Sequence, residues 1–317
     1  MPGSLLMTTP LLAAGDLTSD FDLTVNELRA LMELAADVKR TPGAYRSALK
    51  GRIASLLFEK PSLRTRITFE VGAKQLGGDA ILHVGPIGGR EPVADVARNL
   101  DRWTDVIVAR TFAQQTVEDL AKYSRVPVIN ALSDMFHPCQ ALADMQTVRE
   151  HLGGWKGFHM AFVGDGNNMA HSLMLASARL GLSFTCITPP SYEPNAQIVA
   201  QAQAFAAASG ATIRATTSLE DGLRHADAVY TDVWASMGQE HEAAARARLF
   251  SPYQVNAELM AMASPGALFM HCLPAHRDEE VTEDVIESKT SVVFDQAENR
   301  LHAQKALLLM LVDGPAR

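Results

Sequence analysis

Hydrophobic positions along the chain show two patterns: the spacing of one helix face, and short continuous runs typical of buried strands. The first helix is predicted after a capping box at 24–27, and its apolar face consists of Leu28, Leu31, Ala35 and Val38. From residue 52 onward, apolar runs of strand length alternate with helical patterns. This alternation predicts an α/β fold in which parallel, doubly wound sheets carry helices on both faces.

The alternation falls into two series separated by a glycine-rich break at 153–157. The first series predicts strands over 52–58, 80–84, 106–109 and 126–131 and helices over 65–76, 93–100, 117–123 and 138–152. The second predicts strands over 158–163, 184–188, 228–231, 267–271 and 292–294 and helices over 169–180, 196–208, 257–263 and 301–312. We expect one domain over 1–150 and another over 151–300, with the C-terminal helix within 301–317 packing back on the first.

Composition and charge narrow the class of protein without choosing a function. With 317 residues, 47% apolar and 20% charged, the chain is typical of a two-domain globular protein and unlike disordered, collagenous or coiled-coil chains. A net charge of −8 offers nucleic acid no general attraction. The longest apolar run, 306–312, has 7 residues, against roughly 20 for a membrane span. We therefore expect neither a nucleic-acid partner nor a membrane span.

The cysteines and the N-terminus bear on the compartment. The three cysteines, at 139, 186 and 272, show no C-x-x-C spacing, which predicts neither a disulfide framework nor a zinc knuckle. No Lys or Arg precedes Arg29, whereas cleaved targeting segments begin with basic residues. We expect a cytoplasmic protein close to the full chain in length.

The first predicted strand runs into a turn that is both basic and rich in hydroxyls. Ser62, Arg64 and Thr65 would place hydroxyls and a guanidinium at the positive end of a helix, where phosphates bind. An ordinary helix cap with surface arginines has the same appearance. We assign that ordinary role to Arg66, which precedes Glu70 by four residues, and an anion contact to Arg64.

Two further strands of the first series end in groups that bind anions or carbonyls. Arg110 ends the third strand, and a His-Pro-Cys-Gln segment at 137–140 follows the fourth and opens a helix. Alone, each is a weak signal, since a charge at a strand end is usually solvated. Ligands bind outside the carboxyl ends of parallel strands, so these groups and the turn at 62–65 would line one edge of one sheet.

The second series carries a different set of polar strand ends. The turn at 164–168 imitates a dinucleotide fingerprint, but it lacks the third glycine and an acidic residue after the next strand, which disfavours NAD. Asp232 ends one strand and Cys272 follows another, a pair that could hold and deprotonate an amine, although most such thiols are inert. Zinc is disfavoured because His271 and Cys272 are strand neighbours that point to opposite faces.

Six motifs, in order and spacing, resemble the aspartate and ornithine carbamoyltransferase family over nearly the whole chain. They are Ser-Leu-Arg-Thr-Arg at 62–66, His-Pro-Cys-Gln at 137–140, Gly-Asp-Gly-Asn-Asn at 164–168, Asp232 with Ser-Met-Gly at 236–238, His-Cys-Leu-Pro-Ala-His-Arg at 271–277 and Glu-Asn-Arg at 298–300. The resemblance implies two α/β domains, an active site in the cleft between them, a homotrimer, and no metal or cofactor. The Ser-Met-Gly loop is similar to the ornithine-specific members, which implies carbamoyl transfer from carbamoyl phosphate to L-ornithine, giving citrulline and phosphate in arginine metabolism.

The resemblance also implies roles for individual residues at matching positions. The phosphate would be held by Ser62, Leu63 through its backbone, Arg64 and Thr65. The carbamoyl phosphate site would also include Arg110, His137, Gln140, Cys272, Leu273 and Arg300. Ornithine would be held by Asn168, Asp232, Ser236 and Met237, and the catalytic groups would be Arg64, Arg110, His137, Asp232 and Cys272.

Two departures from the family pattern and three alternatives remain at this stage. Leu63 stands where the family usually has Thr, and the stretch 85–91 lacks the Gln that often reaches a neighbouring subunit's substrate. The nearest alternative is a carbamoyltransferase for putrescine or an N-acylated ornithine, which would share the phosphate half. A nucleotide-dependent oxidoreductase and a non-catalytic homologue are the others.

Overall fold

The chain divides into two compact α/β units, each built on its own parallel sheet. A computed structural model describes residues 11–235 and 240–312. Unit 1 comprises the described residues up to 146 together with those from 298 onward, and unit 2 comprises those between 147 and 297. The predicted α/β class with two parallel sheets is confirmed.

Unit 1 holds a four-stranded sheet in the order β2-β1-β3-β4. Its elements, before the C-terminal segment, are a 3₁₀ turn (Asp20–Asp22), α1 (Val25–Arg40), a 3₁₀ turn (Pro42–Tyr45), β1 (Ile53–Phe58), α2 (Leu63–Gln75), β2 (Asp79–Val84), α3 (Val93–Leu100), β3 (Val106–Arg110), α4 (Gln114–Tyr123), β4 (Val128–Leu132) and α5 (Pro138–Leu152). Helix α1 begins at the capping box: the Thr24 hydroxyl accepts from the Glu27 N–H, and the Glu27 carboxylate accepts from the Thr24 N–H. Its predicted apolar face is buried.

Unit 2 holds a five-stranded sheet in the order β7-β6-β5-β8-β9. Its elements are β5 (His159–Val163), α6 (Asn168–Leu180), β6 (Ser183–Ile187), α7 (Ala196–Ser209), β7 (Ile213–Thr216), α8 (Leu219–Leu223), β8 (Ala228–Thr231), a 3₁₀ turn (Glu240–Glu242), α9 (Ala243–Phe250), a 3₁₀ turn (Ser251–Tyr253), α10 (Ala257–Met260), β9 (Leu268–His271), α11 (Glu283–Ile286) and the first residues of α12 (Val293–Val312), most of which belongs to unit 1. Helix α6 ends at Gly181, whose φ of 89° is the left-handed conformation that glycine adopts most readily.

The predicted strand over 292–294 is wrong, because the last helix, α12, begins at Val293. A single bridge joins Phe269 to Ser291, but the Gln296 N–H then donates to the Val292 carbonyl, which closes the first helical turn. Three apolar residues are too few for their spacing to distinguish a strand from a helix. None of the helices in 11–235 and 240–312, α12 included, combines the length and hydrophobicity that a bilayer-spanning segment requires.

The strand ends within each sheet lie in register, which places the loops that follow them side by side. In unit 1, Phe58 of β1 pairs with Arg110 of β3, and Arg110 pairs with Leu132 of β4 after a bulge. In unit 2, Thr231 of β8 pairs with Val163 of β5 and with His271 of β9. The chain order reverses between β1 and β3 and between β5 and β8, and ligands bind at such switch points.

Candidate active site

Two guanidinium groups and an imidazole are buried at the switch point of the unit 1 sheet. Arg110 ends β3 and is 7% exposed, while Arg300 on α12 is 3% exposed. His137 lies directly before α5 and is equally buried. Burial lowers the pKa of His137 well below its ordinary value, and the charges of Arg300 and Arg110 lower it further. The imidazole is therefore neutral at physiological pH, while the two guanidinium groups remain charged.

The turn between β1 and α2 is held against α12 by a side-chain hydrogen bond. Ser62 is the N-cap residue of α2 but makes no side-chain capping bond, so its hydroxyl does not cover the helix end. Thr65 is fully buried, and its hydroxyl accepts a 2.5 Å hydrogen bond from Arg300 Nη2. Leu63, the first residue of α2, is 69% exposed.

Glu59 is a residue of this turn to which sequence reasoning gave no role. Its carboxylate accepts from the backbone N–H of Ile87 at 3.0 Å and of Phe112 at 2.9 Å. It therefore joins the loops that follow β1, β2 and β3. The neighbouring Lys60 is buried and places its ammonium 4.4 Å from the Phe112 ring centroid. The signal was a charged pair directly after a strand, which usually indicates solvated charge.

The first turn of α5 contributes an amide and an inert thiol. Gln140 is 1% exposed, and its Nε2 donates to Asp144 Oδ1 at 2.8 Å. The Cys139 thiol is fully buried and donates to the Asn130 carbonyl, and burial raises its pKa to about 12. Cys139 is therefore unreactive, and Gln140 is the member of this pair that can contact a ligand.

In unit 2, Asp232 and Cys272 lie in contact just beyond the ends of β8 and β9. The Cys272 thiol donates to Asp232 Oδ1 at 3.0 Å, and Asp232 Oδ2 accepts from Asn167 Nδ2 at 3.1 Å. Cys272 is partly exposed, whereas Cys139 and Cys186 are buried. The structure thus places a carboxylate, a thiol and an amide together at the switch point of the second sheet.

Asn167 is the asparagine of the 164–168 turn that contacts Asp232, whereas Asn168, the predicted ornithine contact, is the first residue of α6. The Asn167 Oδ1 also caps α6 by accepting from the N–H groups of Met169 and Ala170. A cap residue is recognisable from sequence, but a second use of its amide depends on the neighbouring strand. Gly166 permits the turn, since a Cβ there would lie 2.3 Å from the Pro194 nitrogen.

The residues after β9 form a turn held by a buried acid–imidazole pair. Leu273 has a left-handed φ of 56°, and its N–H donates to His271 Nδ1 at 2.8 Å. This assigns the proton to Nε2, which donates to the fully buried Glu280 at 3.2 Å. Glu280 also accepts from the His276 N–H. His271 and Glu280 thus orient the turn that presents Cys272 and Leu273.

A buried ion pair fixes the glycine-rich turn to α9. Arg246 Nη1 lies 2.6 Å from Asp165 Oδ2 and 3.0 Å from the Trp234 carbonyl. Burial raises the pKa of Asp165, and the adjacent Arg246 opposes that rise. The predicted ornithine contacts Ser236 and Met237 lie outside the described residues.

Among the described residues, one group of side chains has the geometry to hold a metal ion. The ligand atoms of His276, Glu279 and Glu280 lie within 4.8 Å of one another. His276 Nδ1 is 3.5 Å from the Glu279 carboxylate and 4.0 Å from that of Glu280. The side chains of His276 and Glu279 are more than half exposed, and exposed groups of this kind commonly gather without an ion.

Comparison with known proteins matches the two halves of the chain to two models of one family. Residues 16–150 match the aspartate/ornithine carbamoyltransferase carbamoyl-P binding domain, and residues 156–311 match the Asp/Orn binding domain of the same family. The chain is 50% identical to an ornithine carbamoyltransferase of Thermococcus kodakarensis, over 96% of this chain and 98% of that protein. It is 49% identical to an anabolic ornithine carbamoyltransferase of Pyrococcus furiosus, with the same coverage.

The solved structures agree with the sequence matches. The ornithine carbamoyltransferase structure from Pyrococcus furiosus superposes with a TM-score of 0.93 at 47% identity, covering 96% of this chain and 99% of that one. Both halves of the chain match family models, and the similarity to full-length relatives runs from near one end to near the other. The chain belongs to the aspartate/ornithine carbamoyltransferase family.

Proposed function

We propose that this protein transfers the carbamoyl group of carbamoyl phosphate to the side-chain amine of L-ornithine, giving L-citrulline and phosphate. The observation that carries the proposal is the buried group of Arg110, His137 and Arg300 at the switch point of unit 1. Two fixed positive charges beside a neutral imidazole suit a ligand that joins a phosphate dianion to a polar carbonyl. The match of this unit to the carbamoyl-P binding domain supports the same ligand.

In the proposed complex, the α2 turn and the buried cations divide the donor between them. Ser62, the Leu63 backbone, Arg64 and Thr65 hold the phosphate, where free N–H groups and the helix dipole favour an anion. Arg110, His137 and Gln140 contact the carbamoyl group, joined by Arg300, Cys272 and Leu273. As negative charge develops on the carbonyl oxygen, Arg110 and His137 stabilise it and Arg64 stabilises the departing phosphate, each contributing roughly 3 kcal/mol to the lowering of the barrier.

The proposed acceptor half prepares an amine for attack. The side-chain amine of ornithine resembles that of lysine, which is protonated below about pH 10.4 and cannot attack a carbonyl in that form. Asp232 holds the ammonium group as the amine leaves water, and the Cys272 thiol relays a proton: it passes its own proton to the Asp232 carboxylate and takes one from the ammonium group. Asn168, Ser236 and Met237 contact the rest of the amino acid.

The wider setting follows from the same proposal. The name of the Pyrococcus furiosus relative includes the word anabolic, which supports a role in arginine biosynthesis. The cysteines are thiols rather than disulfides, which supports a reducing cytoplasm as the site of action. The exposed apolar side chains Leu63, Ile67, Ile81 and Val84 in unit 1 support self-association, for which we propose a homotrimer. Light scattering after size exclusion tests the trimer directly.

One assay tests the proposed reaction. The purified protein is supplied with carbamoyl phosphate and, separately, with L-ornithine, putrescine, N-acetylornithine or L-aspartate, and phosphate release is followed. Of the four amines, we expect only L-ornithine to raise phosphate release above the uncatalysed rate. Faster release with putrescine or N-acetylornithine would reassign the acceptor, whereas no release with any amine would reject carbamoyl transfer.

A further inference from the structure

The orientation of the Gln140 amide is set by an acid one helical turn further along α5. Gln140 and Asp144 are four residues apart and therefore on one face of the helix. Both are buried, and Gln140 Nε2 lies 2.8 Å from Asp144 Oδ1. Because Nε2 donates to this carboxylate oxygen, the NH₂ of the amide faces Asp144 and the amide oxygen faces the opposite way.

In this orientation the Gln140 amide oxygen is a buried acceptor that lacks a donor in the described part of the chain. Gln140 Oε1 is buried and makes no hydrogen bond with any residue that the structure describes. A buried acceptor left in that state costs free energy, which a ligand N–H recovers by donating to it. Gln140 follows His137 closely, and its own N–H donates to the His137 carbonyl at 3.1 Å. The Gln140 side chain therefore belongs to the segment after β4 that also carries His137.

We propose that Asp144 is a positioning residue that makes the site select a carbamoyl over an acetyl donor, by fixing Gln140 Oε1 as the acceptor for the donor's NH₂ group. The inference rests on the proposed function, because it concerns the same donor site. Carbamoyl and acetyl phosphate differ only in NH₂ against CH₃, and a methyl group cannot donate. Binding the methyl would leave Oε1 buried without a partner, which disfavours it by roughly 5- to 150-fold.

A matched pair of stable ligands isolates this one group. Phosphonoacetamide and acetonylphosphonate replace the bridging oxygen by CH₂ and differ only in NH₂ against CH₃. Calorimetric titration of the full-length protein gives the ratio of their Kd values, and we expect at least a 10-fold preference for the amide. In Asp144→Asn the new amide can also donate, so Gln140 is free to turn over. The ratio should fall at least 3-fold, while the Kd of acetonylphosphonate stays within 2-fold, because the methyl benefits from neither orientation.

Two further variants separate positioning from a general structural role. Gln140→Met removes the amide and should bring the ratio close to one, and adding Asp144→Asn to it should change the ratio no further. Asp101→Asn is the matched control, since Asp101 is another buried acid of unit 1 and is ion-paired to Arg125 away from this turn. It should leave the ratio as in the wild type. A merely structural Asp144 would weaken both ligands equally, with or without Gln140.

The outcomes keep the inference and the proposed function apart. A wild-type ratio near one overturns the inference even if Asp144→Asn does not fold. An unchanged ratio in Asp144→Asn also overturns it, as does an equal fall in the Gln140→Met background. In each of these three cases, turnover of carbamoyl phosphate with ornithine leaves the proposed function intact. If neither phosphonate binds and carbamoyl phosphate is not consumed, both proposals fail together.

Discussion

The switch points of the two sheets have the same architecture and opposite chemistry. In unit 1 the strand ends gather the cations Arg110 and Arg300 around a neutral imidazole. In unit 2 the corresponding place holds the carboxylate of Asp232 with the thiol of Cys272 against it. Because the backbone geometry is alike, the side chains after the strands decide the charge of the ligand. One unit suits a phosphate dianion and the other suits an ammonium group.

The α2 turn of unit 1 and the turn after β9 of unit 2 differ in how their side chains are held. In unit 1 the bonds run between helices and turns that are distant in sequence, as from Arg300 to Thr65. In unit 2 a single turn after β9 holds itself, through His271, Leu273 and Glu280. The α2 turn therefore depends on the packing of a distant helix, whereas the turn after β9 depends on local geometry.

The largest effect is expected from removing a positive charge from the unit 1 site. Arg64→Ala should lower kcat by about 100-fold or more, since a preorganised positive group no longer meets the leaving phosphate. Arg66→Ala is the matched control, because Arg66 is half exposed and lies 3.9 Å from Glu70 in the same helix. Its kcat should stay within about 2-fold of the wild type, as exposed ion pairs contribute little. Equal effects of the two variants would remove Arg64 from the site.

The next effect tests the thiol on the acidic side. Cys272→Ser retains a donor toward Asp232 but replaces a readily ionised group by one that is not. If the thiol relays the proton of the amine, kcat should fall by one to two orders of magnitude and the pH dependence of kcat should shift. Initial rates between pH 6 and 10 measure both. A variant with wild-type rates and an unshifted profile would show that Cys272 only supports Asp232.

A smaller effect separates helix capping from substrate binding in unit 2. Asn167→Asp keeps a good N-cap for α6 but sets a second carboxylate against Asp232 in place of the amide donor. We expect the KM for ornithine to change by roughly 10-fold, with the free energy of unfolding within about 1 kcal/mol of the wild type. Asn195→Asp repeats the change at the α7 cap, away from Asp232, and should leave KM unaltered.

The smallest effect concerns pH and stability. The pKa of His137 is depressed in the folded protein, so the unfolded chain binds a proton that the folded chain excludes as pH falls below about 6.5. The free energy of unfolding therefore has its full value above about pH 6.5, where His137 is neutral in both states, and falls as the pH is lowered. His137→Gln should flatten the free energy of unfolding between pH 7 and 5 in urea titrations. His159→Gln in unit 2, where burial also lowers the pKa but is less complete, should flatten it less.

Much of the fold was readable from sequence where a local signal coincided with a long apolar pattern. The capping box fixed the start of α1, and Pro138 fixed that of α5. Short elements escaped prediction: β7, α8, α9 and α11 have 8 residues or fewer and lack a clear period. Their positions are decided by packing against neighbouring elements, which a single sequence does not display.

The site was less readable, because a residue's role depends on its partners across the fold. Strand-end polarity was enough to select Arg110, Asp232 and Cys272 as candidates, whose roles stay predictions. The contact of Asn167 with Asp232 needed the pairing of β5 with β8. The role of Glu280 was invisible, since a glutamate nine residues after His271 ordinarily indicates solvent exposure.

The hydrogen bond that closes the turn after β9 makes this turn a poor place to insert a peptide tag. Its two ends, at His271 and Glu280, are fastened to each other in the interior, so an added residue would prise them apart. The connection at 153–157 has no comparable constraint on its length, because its glycines have open space where a side chain would go. A peptide epitope is therefore best inserted at 153–157, where added residues would not disturb packed side chains.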